Sequence, residues 1–215
     1  LFALFHRHSY SGCKPAVGDM LIGFASMAAE MNGIEKAPHV REKISELIKI
    51  TELGYAAGFT ASAMGKPQVY MPGVGMVPYG PGACIPNSIY ANVGRCLTGE
   101  AVFHEQQILC ELAGGMPATF PHEGDLVNPE IQELLKKYVK RNQEIPVEDQ
   151  IKFWLLFADY TNSASSGAIS YGAMHGGGSP IMEQIAIYTQ YNIDACKNIV
   201  RRIAGMPLIE KKKKK

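Results

Sequence analysis

Residues 39–64 read HVREKISELIKITELGYAAGFTASAM, a long stretch free of proline. Val40, Ile44, Leu47, Ile48, Tyr55 and Phe59 fall on one helical stripe, so the segment predicts a long helix with that stripe inward. Its neighbours follow the same period. PAVGDMLIGFASMAAEM (15–31) predicts a helix with Pro15 in its first turn, where a missing N–H costs nothing, and Asn32-Gly33 ends it. Asn87 or Ser88 caps a helix to about Leu112, with Ile89, Val93, Leu97, Ile108 and Leu109 inward. Asn128 caps a short helix begun by Pro129 that carries Ile131, Leu134, Leu135 and Tyr138. A further helix covers about 147–165, apolar from Phe153 to Phe157. The last runs from about Pro180 to Ala204, with Ile185, Tyr188, Ala195, Ile199 and Ile203 inward.

The connections are of a different composition. GKPQVYMPGVGMVPYGPGACIP (65–86) is too rich in proline and glycine for a helix and predicts a surface excursion, with one short strand near 68–71. AGGMPATFPHEGDLVNPE and HGGGSP (175–180) break the chain again. With no sustained alternation and no internal repeat, the fold class expected is all-α, an antiparallel helical bundle with two elaborate loops.

Composition narrows the function. A chain of 215 residues with 47% hydrophobic content suits one folded domain of ordinary size, or two small ones. Most of the net charge of +1 comes from the five lysines at 211–215, so 1–206 is taken as the domain and 207–215 as a disordered lysine-rich tail. The body without that run is mildly acidic, which argues against nucleic acid. No apolar run approaches the ~20 residues that span a bilayer. The chain has no initiator methionine and LFALF resembles the interior of an element, so it reads as the C-terminal part of a longer polypeptide. Cys13, Cys84, Cys96, Cys110 and Cys196 are odd in number and contain no C-x-x-C. They suit reduced thiols in a cytoplasmic protein, with Cys96 and Cys110 in the core.

The chemistry concentrates in FHRHSYSGCKP (5–15). On a continuous helix His6 and Cys13 share a face, with their Cα atoms about 10 Å apart. That is wide for one ion; a polynuclear centre, or a chain leaving the helix at Ser11-Gly12 as Gly12 and Pro15 indicate, relaxes the problem. Lys14 beside Cys13 favours the thiolate. Tyr10, four before Lys14, could share a cavity with it, where an ammonium helps a phenol donate its proton. His8 points elsewhere, as a solvated or capping histidine. Two donors close no metal site, so a structural role for the pair stays open beside the metal role.

HRHSYSGCK (6–14) together with MHGGGSPIMEQ (174–184) resembles the C-terminal portion of the 4-hydroxybutyryl-CoA dehydratase/vinylacetyl-CoA Δ-isomerase family. That family is grouped with the 4-hydroxyphenylacetate 3-hydroxylase flavoproteins on the acyl-CoA dehydrogenase fold. The resemblance runs over most of 1–206 and implies a lyase with isomerase activity, an acyl-CoA substrate, FAD and a 4Fe-4S cluster held by three cysteines and one histidine. It makes His6 and Cys13 cluster ligands, the other cysteines lying upstream of this chain. It also implies a radical dehydration: a base takes the α proton, one-electron oxidation of the substrate acidifies the β position, and the hydroxyl leaves with help from iron. His6 would be the base, and Tyr10 and Lys14 would hold or protonate the leaving hydroxyl. Gly114 and Gly115 of LAGGMP, and His175, Gly176, Gly177 and Ser179 of HGGGSP, would contact the flavin, FAD lying between subunits of a homotetramer. The family's acid–base glutamate near the second loop is missing here, and Glu183 lies further into the helix; either His175 substitutes, the matching position lies several residues away, or the chain is a relative with altered chemistry. A flavin-dependent aromatic hydroxylase without a cluster, and a helical interaction module without an active site, are the competing readings.

Overall fold

The computed structural model describes residues 2–71, 73–78 and 80–210, so the lysine run at 211–215 lies outside the described residues. In chain order the elements are α1 (Phe2–Met31), α2 (Pro38–Ala63), β1 (Gln68–Met71), β2 (Gly75–Pro78), α3 (Ser88–Glu100), α4 (Val102–Ala113), α5 (Met116–Thr119) and α6 (Glu123–Leu126). They continue with α7 (Gln132–Val139), α8 (Val147–Asn162), α9 (Ala164–His175), α10 (Pro180–Gln190) and α11 (Ile193–Ile203). The expected all-α bundle is present, with a small hairpin added: β1 pairs antiparallel with β2, Gln68 opposite Pro78. The strand expected near 68–71 is β1; its partner was not foreseen.

The helix expected from Pro15 begins instead at Phe2 and runs unbroken through Gly12 and Pro15. The chain therefore does not leave the helix at Ser11-Gly12. A proline inside a helix forfeits one backbone hydrogen bond and costs about 3 kcal/mol. Burial of Tyr10, Leu21, Phe24, Ala25, Ala28 and Met31 along the same helix offsets that cost.

The inward face of α2 is not the stripe of large residues. Val40 and Leu47 are buried, but Ile48, Tyr55 and Phe59 are exposed, and Gly54, Gly58 and Ala61 face inward in their place. Contact distance explains the reversal. A Cβ on Gly58 would stand 2.5 Å from Ser11 Cβ of α1, and one on Gly54 2.5 Å from Thr98 Cγ2 of α3. On Gly94 of α3 it would stand 2.8 Å from Ala57 Cβ of α2. Three helices meet here almost backbone to backbone, and large side chains have no room. The same seam turns Val93 and Leu97 of α3 outward while Ala91, Gly94, Arg95 and Thr98 are buried.

The apolar core lies at the other end of α1. Phe24 stacks on Tyr160 with centroids 4.8 Å apart and meets Phe157 edge-on at 5.6 Å. Ile108, Leu109, Phe153, Trp154 and Phe157 belong to the cluster, in agreement with the inward positions expected for 108–109; within the apolar run 153–157, Leu156 is exposed. Other expectations fail. The helix expected from Pro129 begins at Gln132, and Leu134 and Tyr138 are exposed. The final helix is broken at Tyr191-Asn192, where Asn192 accepts from Ala195 N and caps α11. Ile185, Tyr188, Ile199 and Ile203 are exposed there. Cys110 is exposed, whereas Cys96 is buried. Residues 207–210 are tied back to α11 through Asn198, which bonds both the N–H and the carbonyl of Ile209.

The seam makes a paired expectation. Gly58→Ala should destabilise the chain by about 1–3 kcal/mol through overpacking. Gly12→Ala, exposed on α1 with nothing within 4 Å of the new Cβ, should stabilise it by about 0.5–1 kcal/mol. Urea denaturation of the two variants checks both signs.

Candidate active site

Because α1 is continuous, its 100° step per residue decides what each functional side chain meets. His6 and Cys13 lie within about 20° of each other around the axis, and both are exposed. They form one ridge, begun by Phe2, whose ring meets the His6 imidazole edge-on at 6.4 Å. The Cys13 thiol is 3.5 Å from the Tyr10 carbonyl, within donating distance for sulfur.

Tyr10 and Lys14 turn progressively away from that ridge and are buried. The two side chains find separate partners. Lys14 Nζ donates to both carboxylate oxygens of Glu105 on α4, at 2.7 and 2.5 Å. Tyr10 donates its hydroxyl to the Ala173 carbonyl at 2.8 Å. The cation beside the phenol is Arg95 of α3, with its guanidinium carbon 4.5 Å from the ring centroid. Burial pushes the Tyr10 phenol up to about 12, with Arg95 pulling in the opposite direction. Burial likewise raises the Glu105 carboxyl, against the pull of Lys14.

His8 sits on another side of α1, 3.0 Å from Ser62 Oγ of α2, and its burial lowers its pKa. It is a bridge between helices rather than a cap.

The HGGGSP loop joins α9 to α10 beside the first turns of α1. Gly177 and Gly178 have φ of 88° and 114°, which only glycine adopts comfortably. A Cβ on either would meet the Arg7 side chain, at 3.2 and 3.0 Å. These glycines therefore pack against arginine. Arg7 Nε donates to Gly177 O at 2.9 Å, and Arg95 donates to the carbonyls of Met174 and Gly176. His175 and Ser179 are exposed. Glu183, fully buried on α10, has Arg7 Nε at 3.6 Å and Arg95 Nε at 3.7 Å. Burial raises its carboxyl while Arg95 and Arg7 lower it.

Gly114 and Gly115 belong to the opposite end of the bundle. They follow Leu112, whose carbonyl accepts from Asn32 just beyond the end of α1. Gly114 has φ of 64°, and no atom lies within 4 Å of where a Cβ would stand on either residue. The two glycine loops are thus not parts of one pocket within this chain. Arg7, Arg95 and Glu105 were missed by sequence reasoning. Arg95 could have been found, since it shares the small-residue face of α3 with Ala91 and Thr98. No group of three or more His, Cys, Asp or Glu side chains suited to a metal occurs among the described residues.

This arrangement is the C-terminal helical domain of the acyl-CoA dehydrogenase-like fold. The chain belongs to the family described as 4-hydroxyphenylacetate 3-hydroxylase C terminal, whose profile matches residues 1–205. It is 30% identical over 213 residues to a Clostridium aminobutyricum protein named 4-hydroxybutyryl-CoA dehydratase/vinylacetyl-CoA-Δ-isomerase, covering 95% of this chain and 41% of that one. Among solved structures it is similar to an oxygen-tolerant archaeal 4-hydroxybutyryl-CoA dehydratase from N. maritimus, with TM-score 0.82 and 29% identity. That match covers 100% of this chain and 41% of the other, so the chain spans about two fifths of these relatives. The oxygenase component of 4-hydroxyphenylacetate 3-monooxygenase, complexed with FAD and 4-hydroxyphenylacetate, shares the fold at TM-score 0.79 and 22% identity. That match covers 93% of this chain and 39% of the oxygenase.

Two outcomes follow from the buried groups. Lys14→Met should cost about 3–5 kcal/mol by stranding the Glu105 carboxylate, and adding Glu105→Leu should recover most of it. Tyr10 titrates higher folded than unfolded, so its contribution is complete below about pH 10 and is lost as pH climbs towards 12. The fall in urea midpoint across that window should shrink in Tyr10→Phe.

Proposed function

We propose that the chain is the C-terminal portion of a dehydratase that converts 4-hydroxybutyryl-CoA to crotonyl-CoA, with the associated vinylacetyl-CoA isomerisation. The observation that carries this reading is the exposed His6–Cys13 ridge on an unbroken helix. The names of the Clostridium aminobutyricum and N. maritimus relatives support it. The family's aromatic hydroxylases would leave the paired imidazole and thiol without a use.

The ridge fits half of a cluster site. A Cα separation of about 10 Å along the helix is too wide for ligands of one ion and suits two corners of a multi-iron centre. Imidazole and thiolate are suitable donors for iron–sulfur ligation, and both face outward, where cysteines from the upstream part of the polypeptide would join them. For FAD, the open backbone at Gly114 and Gly115 can approach a pyrophosphate. At the other loop the exposed His175 and Ser179 remain as flavin contacts, with Gly176 and Gly177 shaping the turn. When bound, the cluster would supply a Lewis-acidic iron and the flavin a one-electron acceptor.

The chain's own residues move protons. A histidine held only weakly by iron frees a ring nitrogen, and His6 would use it to take the proton from the carbon next to the thioester carbonyl. Tyr10 gives its proton to the departing hydroxyl, turning from the Ala173 carbonyl that holds it at rest. Lys14, bound by Glu105, fixes the rotation of α1 so that His6 and Tyr10 keep their places. His175 takes the acid–base place of the missing glutamate, because Glu183 is buried between two arginines. The working form would be a homotetramer with FAD between subunits. Its reduced thiols suit the cytoplasm, and no helix among the described residues is long and apolar enough to cross a membrane.

The test is made on the full polypeptide purified without oxygen. A broad absorption near 400 nm and crotonyl-CoA formation are expected, and Cys13→Ser and His6→Ala should each lower bound iron and abolish turnover. A purely yellow protein with unchanged flavin in both variants would instead identify a flavin enzyme without a cluster.

A further inference from the structure

At the end of α9 the carbonyls of Ala173, Met174, Gly176 and Gly177 are all taken by side chains from α1 and α3. Tyr10 holds the first, Arg95 the second and third, and Arg7 the fourth. The remaining carbonyl of the segment, on His175, accepts from Gly178 N at 3.0 Å. Gly176 N donating to Gly172 O at 2.7 Å is the last bond of the helix, so the carbonyls beyond it need outside donors; neutral side chains or water could supply them, yet two arginines are used. Taking each cation out of water costs several kcal/mol unless it is compensated. Arg95 is wholly buried, and Arg7 is held on its other side by Asn92 Oδ1 at 2.7 Å.

Glu183 provides the compensation without steering either cation. Its carboxylate lies 3.6 and 3.7 Å from the two Nε atoms, yet neither oxygen has a hydrogen-bond partner among the described residues. Arg7 Nε and Arg95 Nε and Nη2 point instead at the loop, while Arg7 Nη1 bonds Asn92 and Arg95 Nη1 has no hydrogen-bond partner among the described residues. Arg95 does two jobs from one position, bonding two loop carbonyls and lying over the Tyr10 ring at 4.5 Å.

We propose that Arg95, with Arg7 beside it and Glu183 as counter-charge, is a positioning residue that fixes the Tyr10 phenol and the His175-bearing loop in register with the His6–Cys13 ridge. The inference rests on the dehydratase reading for what Tyr10 and His175 do, and it removes Glu183 from proton transfer. Each part of the clamp has a distinct role. Arg7 sets the turn through Gly177, Arg95 sets the last turn of α9 and the phenol, and Glu183 makes their shared burial tolerable.

The experiment compares Arg95→Met, Arg95→Lys and the milder Arg7→Lys in the full, cofactor-loaded polypeptide. Amide hydrogen exchange and steady-state kinetics are read together. In Arg95→Met, exchange in 173–179 should speed up while 153–157 keeps its protection. kcat should fall by about tenfold to a hundredfold, with KM changed little, because a small displacement of an aligned group is costly. Arg95→Lys should recover part of both, and Arg7→Lys should loosen 176–178 more than 173–174. Uniform loss of protection across the Arg7→Lys protein, or a loosened loop with kcat unchanged, would overturn the inference. Absence of dehydration in the parent protein would sink the functional reading alone, and loop exchange would then decide the clamp by itself.

Discussion

Everything functional in this domain depends on α1 being one unbroken rod held at contact distance from α2 and α3. The rod has two adjacent faces. One carries His6 and Cys13 outward, and the other buries Tyr10 and Lys14. A helix rotated, or broken at Ser11-Gly12, would scatter that arrangement, since every residue changes direction by 100°. What prevents it is the seam of Ser11, Gly54, Gly58, Gly94 and Thr98, where one added Cβ collides with the neighbouring helix. Glycine is a poor helix former, and the fold accepts that local cost for close approach of the backbones.

The interior near the seam is more polar than a helical bundle requires. Lys14–Glu105 and the Arg7–Glu183–Arg95 group are both removed from water. Buried ion pairs add little stability over apolar packing of the same volume, but breaking one strands a charge. Their effect is therefore to make wrong arrangements expensive. Lys14–Glu105 fixes α1 against α4, and the arginine group fixes α1 and α3 against the loop that joins α9 to α10. In both cases a charged side chain sets the angle at which a neutral one, Tyr10 above all, is presented.

Part of this was legible in the sequence. Phe153, Trp154, Phe157, Ile108 and Leu109 are large apolar residues at helical spacing, and they belong to the core. The inward faces of α2 and α3 were misread because size was taken as the mark of burial. Tyr55 and Phe59 stand outside, where Gly54 and Gly58 let the helices touch. Pro15 looked like a helix start because its local cost is visible in sequence and the burial that offsets it is not. His6, Tyr10, Cys13 and Lys14 were singled out from their spacing and from family resemblance; the structure puts His6 and Cys13 on one exposed ridge and buries Tyr10 and Lys14. Arg95 and Glu105 were not, because a single charge inside an apolar face has no periodicity; only its helical register marks it as buried.

The relation of the His6–Cys13 ridge to a metal centre is the claim on which the chemistry turns. The most direct test is electron–nuclear double resonance on the reduced, full polypeptide labelled with nitrogen-15 histidine. An imidazole nitrogen coupled to the iron spin is expected, lost in His6→Gln while sulfur ligation persists. A spectrum with no histidine coupling in the parent protein, or one unchanged in His6→Gln, would contradict it.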